Sequence, residues 1–360
     1  MDLDLLQNQL SPSNSLASAP SFDLMYQLIW IMGFVVIAIV LIFVILLILK
    51  KVFSSHKIYP AIFEKKIFML TVPSMMDADE EKEKQNKQIK DVIGSVENFY
   101  SAVGGIPAQK GFKTWLFGRF DSWSFEVVVG GDGLITFYMA IPVYLEQYIK
   151  QQLLSQYPHC QIEEVEDYNI FGQQGFASAG YLRLSKANMF PLLTFKQMEN
   201  DPLLGILSTL SKLGPGQSAA IQFVMRSAPS GWRKKGVKIA SSMQQGKNLK
   251  QAMAVDNPLV NALGKPSDWI GTSKSAQSPK DPYRLSPLEE QMIKSIEEKA
   301  SKTGFDVNVR IIAFAPIESQ AKEILKFVAN AFSQYSNYQY GNNFKAIIKG
   351  SGQKLITDFI

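Results

Sequence analysis

The densest gathering of chemically capable side chains is cationic. Arg226, Arg233, Lys234, Lys235 and Lys238 cluster around Trp232. Guanidinium and ammonium groups beside an aromatic ring can hold a phosphate backbone or anionic lipid headgroups, the cations neutralising charge and the ring offering a stacking face. A single aromatic inside the cluster also fits a plainer reading, a surface loop kept soluble by its lysines. From Arg226 to Arg284 eleven Lys or Arg stand against Asp256, Asp268 and Asp281, a local balance of +8 in a chain whose net charge is +5. The remainder is slightly acidic, so the basic character belongs to this one segment.

Other constellations fall short of a reaction. A phosphate loop needs G-x-x-x-x-G-K-[ST], and the nearest imitation, Gly350-Ser351-Gly352-Gln353-Lys354, is followed by Leu355, which has no hydroxyl for Mg²⁺. Gly130-Gly131-Asp132-Gly133 separates two β-rich runs, so it reads as a hairpin turn and not as a phosphate cradle at a helix N-terminus. His159 and Cys160 are adjacent, but neighbours in a strand point to opposite faces, which makes an exposed His beside a packed Cys. The acids Glu163, Glu164, Glu166 and Asp167 lack the spacing of a divalent-ion loop and read as a solvated strand edge. One Cys and two His leave no metal cluster and no intramolecular disulfide, in keeping with a reducing compartment. No nucleophile, base and orienter can be nominated, so the chain reads as non-enzymatic, without cofactor or metal.

What must position the basic cluster begins with an anchor. Leu28 to Leu49 is an unbroken apolar run closed by Lys50 and Lys51. As a helix it is about 33 Å long, enough for a hydrocarbon core of about 30 Å. Asp2, Asp4 and Asp23 precede it with no Lys or Arg, whereas Lys50, Lys51, Lys57, Lys65 and Lys66 follow against a single Glu64. Basic flanks stay in the cytoplasm, so the N-terminus is expected outside and the rest inside, a single pass through the cell membrane. A cleaved signal fits poorly, because a basic leader and a small-residue cleavage site are both missing. Residues 1–27, rich in Ser, Asn and Gln, read as a disordered external tail, and 50–65 as a juxtamembrane linker.

Beyond the linker, hydrophobic periodicity predicts a strand at Lys66–Val72 and an amphipathic helix burying Ile93, Val96 and Tyr100, ended by Gly104 and Gly105. A hairpin of Trp123–Val129 and Leu134–Ala140, a helix through Leu145, Ile149 and Leu153, and a strand at Cys160–Val165 follow. This β-α-β-β-α-β order over 66–168 is the ferredoxin-like arrangement. A second pass over 177–360 contains a helix opened by Asp201-Pro202, a strand at Ser218–Arg226, the basic insertion 227–285, a capped helix from Ser286, a strand at Val307–Phe314 and a helix at Glu318–Phe332. Asn343–Ile348 gives a last strand. The fold class expected is α+β, one transmembrane helix followed by two tandem ferredoxin-like modules. The insertion is expected to run as an exposed excursion, with a short helix at Lys235–Met243.

At Glu163–Tyr168, at Thr194–Gly236 with its DPL and WRKKG, and at Glu297–Ala315, the chain resembles a bacterial family seen largely in candidate phyla. The resemblance spans most of residues 25–360. Members carry one N-terminal membrane helix, this α+β region and, in many cases, a conjugation-type ATPase domain similar to type IV secretion coupling proteins. It therefore implies a scaffold that positions such a motor, or its DNA or protein cargo, at the cytoplasmic membrane. The ATPase motor itself is absent from these 360 residues. The rival reading is a nucleic-acid or anionic-lipid binding module working through the basic insertion. Expected partners are the lipid bilayer, a cognate ATPase, fused or separate, DNA or anionic lipid, and further copies of the chain.

Overall fold

The computed structural model describes residues 22–53, 64–72, 82–172, 174–198, 201–254 and 285–351. The expected tail up to residue 21, the linker at 54–63, the end of the insertion at 255–284 and the stretch from 352 lie outside the described residues. The chain divides into two units: residues 1–60 with 110–118, and residues 61–109 with 119–360.

The first unit holds α1 (Phe22–Phe53), which includes the apolar run and ends on Lys50 and Lys51. It starts six residues before the run, taking the last residues of the expected tail into the helix. Adding turns to an existing helix costs little. Every side chain from Met25 to Ile45 is exposed, and the helix is long and apolar enough to cross a membrane. The same unit contains a short helix, α3 (Phe112–Phe117), which packs on the end of α1.

The second unit is an α+β domain around an eight-stranded antiparallel sheet of order β4-β1-β3-β2-β6-β7-β5-β8. Its first half runs β1 (Lys65–Thr71), α2 (Lys82–Gly104), β2 (Trp123–Val129), β3 (Ile135–Pro142), α4 (Glu146–Gln156) and β4 (Gln161–Val165). Its second half runs β5 (Phe176–Leu184), α5 (Leu204–Leu210), β6 (Ser218–Ser227), α6 (Gly231–Gln244), α7 (Leu249–Ala254), α8 (Pro287–Ser301), β7 (Phe305–Ala315), α9 (Glu318–Ala331) and β8 (Phe344–Ser351). Strand order in the second half, β6-β7-β5-β8, repeats that of the first read from the opposite end. The halves meet where β2 pairs with β6, Val127 opposite Ile221 and Glu126 opposite Gln222.

Alternation along the strands sends Trp123, Val127 and Val129 to one face, against the helices. There α2 and α4 cover the first half through Phe99, Val103, Ile149 and Leu153, and α5 and α9 the second through Ile206, Leu210, Leu325 and Val328. Each such aliphatic side chain stabilises the fold by about 1.5–3 kcal/mol on burial. On α2 the deepest residues are Phe99 and Val103, with Ile93, Val96 and Tyr100 half-buried. All lie on the apolar stripe read from the sequence, which runs on through Phe99 and Val103, and Val96 and Tyr100 pack against the same core; Phe99 goes deepest because it packs edge-on against Trp123 while Tyr100 lies along its flank.

The basic insertion departs from expectation in its burial. The short helix expected at Lys235–Met243 is present as α6, which begins earlier, at Gly231, and it is no exposed excursion, since it buries Gly236, Ile239, Ala240 and Met243. These meet Met292, Ile293 and Ile296 of α8 together with Met189, Phe190 and Tyr340, forming a third core beside the sheet. The capped start of α8 is as expected: Ser286 Oγ accepts from Glu289 N, the Glu289 carboxylate accepts from Ser286 N, and Pro287 stands at the first helical position.

Candidate functional site

The expected polyanion-binding residues are distributed over three settings. Lys234, Lys235 and Lys238 are exposed on the outer face of α6, a row at i, i+1 and i+4 opposite the buried Gly236, Ile239 and Ala240. Arg233 is half-buried, and its Nε has no hydrogen-bond partner among the described residues. Trp232 packs inward over Gly304, where an added Cβ would lie 2.4 Å from the indole. Its ring therefore serves packing, and Gly304 is small because the ring needs that space. Arg226 lies in the sheet, not on α6, and its Nε donates to Asp306, its cross-strand neighbour, at 3.3 Å. Arg119 shares that carboxylate at 3.7 Å and is itself held by Asp121 at 2.6 Å.

What remains of the cluster is the lysine row, and its placement works against the helix. Arg233, Lys234 and Lys235 all fall within the first five residues of α6, at the positive end of the macrodipole, and α6 contains no acid. Each exposed cation there costs about 0.3–1 kcal/mol, and Lys234 and Lys238 repel across one turn. The N-cap, Ser230, makes no side-chain cap bond. Backbone dipole and side-chain charge thus attract the same sign of ligand, an anion.

A second polar site lies on the sheet face opposite the helices, and strand-by-strand periodicity does not announce it. Glu126, 5% exposed, accepts from Ser124 Oγ at 2.5 Å, from the Tyr168 hydroxyl and from Gln222 Nε2 at 3.2 Å. Register extends the row through Tyr138 on one side and through Gln222 to Arg310 and Tyr181 on the other. Burial pushes the Tyr168 phenol far up, and the Glu126 charge adds to that. Desolvation lowers Arg310 from its usual value, and Glu126 partly restores it. A signal does exist in the chain: WSFEVVV, AAIQFVM and VNVRIIAF place Glu126, Gln222 and Arg310 between apolar neighbours of a strand. Only the pairing of β2, β6 and β7 shows that the three are neighbours.

The remaining candidates fall where packing puts them. Cys160 is buried in the first-half core, burial raises its thiol pKa, and His159 is exposed. Gly133 N donates to Gly130 O at 3.1 Å, closing the β2–β3 turn. Glu163 and Glu164 alternate along the outermost strand β4, with Glu164 paired to Lys66 at 3.0 Å. Gln353 and Lys354 of the phosphate-loop imitation lie outside the described residues.

These features define an α+β protein built on one antiparallel sheet, with one N-terminal helix long and apolar enough to cross a membrane. The chain belongs to the family described as "Domain of unknown function (DUF8128)", whose model matches residues 83–360. No curated protein matches it.

Proposed function

We propose that this protein is a membrane-anchored, non-catalytic scaffold whose two sheet halves are tandem ferredoxin-like modules. In this reading α1 crosses the cell membrane with the N-terminus outside, and the sheet domain works in the cytoplasm beside a conjugation- or secretion-type ATPase. The observation that carries the anchor is the uniform exposure of apolar side chains from Met25 to Ile45. The strand order shared by the two halves supports the module reading. The motor rests on the sequence resemblance, in which such an ATPase commonly follows this region.

Topology is tested by labelling single cysteines at Ser15 and Ser275 in intact cells, in a Cys160→Ala background. Position 15 should react from outside and position 275 only after lysis. The scaffold reading is tested with the full chain reconstituted in lipid nanodiscs and presented to a conjugation-type ATPase. A stable complex is expected, with no ATP hydrolysis by the chain alone. Hydrolysis abolished by Lys354→Ala would overturn it.

The lysine row favours a second reading, binding of DNA or anionic lipid. Replacing Lys234, Lys235 and Lys238 with Gln should weaken duplex-DNA binding and reduce the slope of log K against log salt by about 0.9 for each phosphate no longer neutralised. The thermal midpoint should hardly move, since all three side chains are exposed. Arg233 is left out because it is half-buried in α6.

A further inference from the structure

Between α2 and β2 the chain returns to the anchor. Within Met25–Val52, Leu46, Leu49 and Lys50 are the half-buried residues, and their spacing of three and four places them on one helix face. There α3 packs, with the Trp115 ring 4.9 Å from Lys50 Nζ. Leu46 and Leu49 belong to the apolar run, so α3 sits at the depth where α1 leaves the hydrocarbon. Its sequence, FKTWLF, is mostly apolar, yet none of its residues is buried. Phe112 is 61% exposed and stacks on Trp115 with centroids 5.8 Å apart. The helix is bounded by Gly111 at φ 106° and Gly118 at φ 89°, turns that glycine adopts without steric cost.

We propose that Lys110–Gly118 is a second membrane contact, lying along the headgroup–acyl boundary of the leaflet that receives Lys50. The proposal rests on α1 spanning the bilayer and adds a site to it. Tryptophan favours that boundary, where its ring is shielded from water and its N–H stays hydrated. Phe112 supplies apolar surface to the acyl chains, and Lys50, Lys110 and Lys113 lie at headgroup level, able to meet phosphates. The lipid is chosen over a protein partner because α3 lies against the end of α1, with Trp115 over Lys50, the residue that closes the apolar run. The sheet domain is then tied to the membrane at two places in the chain, before β1 and before β2.

The test uses the full chain in nanodiscs of mixed zwitterionic and anionic phospholipid, with Cys160→Ala and one nitroxide at Lys113→Cys, Ala38→Cys or Glu323→Cys. Collision with oxygen relative to a water-soluble nickel chelate reads depth. Position 113 should exceed position 323 several-fold and fall below position 38, and adding Phe112→Glu should bring 113 down towards 323. The proposal is overturned if 113 matches 323 while 38 remains deep, or if 113 is shielded from both reagents, as for a side chain packed against protein. A water-like signal at position 38 would instead defeat the anchor itself. Phe112 is exposed, so an unchanged thermal midpoint in Phe112→Glu separates release of α3 from the membrane from loss of fold.

Discussion

The two halves of the sheet share a strand order and differ most at one connection. In the first half β2 turns into β3 through residues 130–134, a hairpin closed by one backbone hydrogen bond. In the second half the equivalent step from β6 to β7 takes residues 228–304 and carries α6, α7 and α8. The strands on both sides are unaffected: β6 and β7 pair continuously from Ser218 opposite Phe314 to Ser227 opposite Phe305. A long insertion is tolerated at a strand end because loop-closure entropy grows only slowly with length. This connection brings an apolar core of its own, Ile239, Met243, Ile293 and Ile296, and ties back through Lys302 to Glu97 of α2. The insertion is thus a small appended layer whose buried side carries stability and whose outer side carries charge.

The harshest way to break this comparison is at the joint common to both halves. Ile221 is fully buried in β6 opposite Val127 of β2. Ile221→Asp should cost more than about 4 kcal/mol and unfold both halves together, as followed by circular dichroism. Separate loss of one half would show two domains that merely touch.

Ile296→Ala in the appended core should cost about 2–5 kcal/mol. Hydrogen exchange is the discriminating readout: amides of α6 and α8 should lose protection while those of β2 and β6 keep theirs. Parallel loss across the sheet would mean that the insertion belongs to the same cooperative unit.

A smaller effect is expected from Glu126→Gln at the seam. Its carboxylate accepts from Ser124, Tyr168 and Gln222, and an amide would turn a donor towards one of them, costing about 1–3 kcal/mol. A thermal melt that Glu126→Gln leaves unchanged would show the row to be dispensable for joining the halves.

Confined to alkaline pH, a further effect should weaken the helix-side packing of both halves. Tyr100 in the first half and Tyr335 in the second are each pushed up to about 12, mainly by burial. Unfolded tyrosines ionise near 10. From about pH 10 upward the unfolded state therefore binds fewer protons than the folded one, and stability falls until both folded phenols have ionised. Phenolate absorbance followed alongside unfolding should lose the part of its late phase near pH 12 in Tyr100→Phe with Tyr335→Phe, Tyr168 titrating still later. An undiminished phase near pH 12 would assign it to other tyrosines.

The sequence by itself determined the elements whose signals are local. The length and polarity of the apolar run define α1, Ser286-Pro287-Leu288-Glu289 marks the start of α8, and period-two alternation in VNVRIIAF places β7. These depend on side-chain spacing and nearby backbone hydrogen bonds, which a linear chain displays. Part of the candidate site was legible too: Lys234, Lys235 and Lys238 stand out as charge and remain outside on α6. What the tertiary structure decided is which neighbours these elements acquire. WSFEVVV does not say that its outer neighbour is SAAIQFVMR, because edge pairing depends on a partner strand some ninety residues away, and so the Glu126–Gln222–Arg310 row had no sequence signature as a group. GWRKKG reads as an exposed loop until Ile239, Met243 and α8 supply the face that turns it into a helix and draws Trp232 and Arg233 inward. FKTWLF, too short to show a period, gains meaning only from Lys50 and the apolar end of α1 against which it lies. Local periodicity is a property of the chain, whereas burial is a property of pairs of elements, and pairs form only in the folded state.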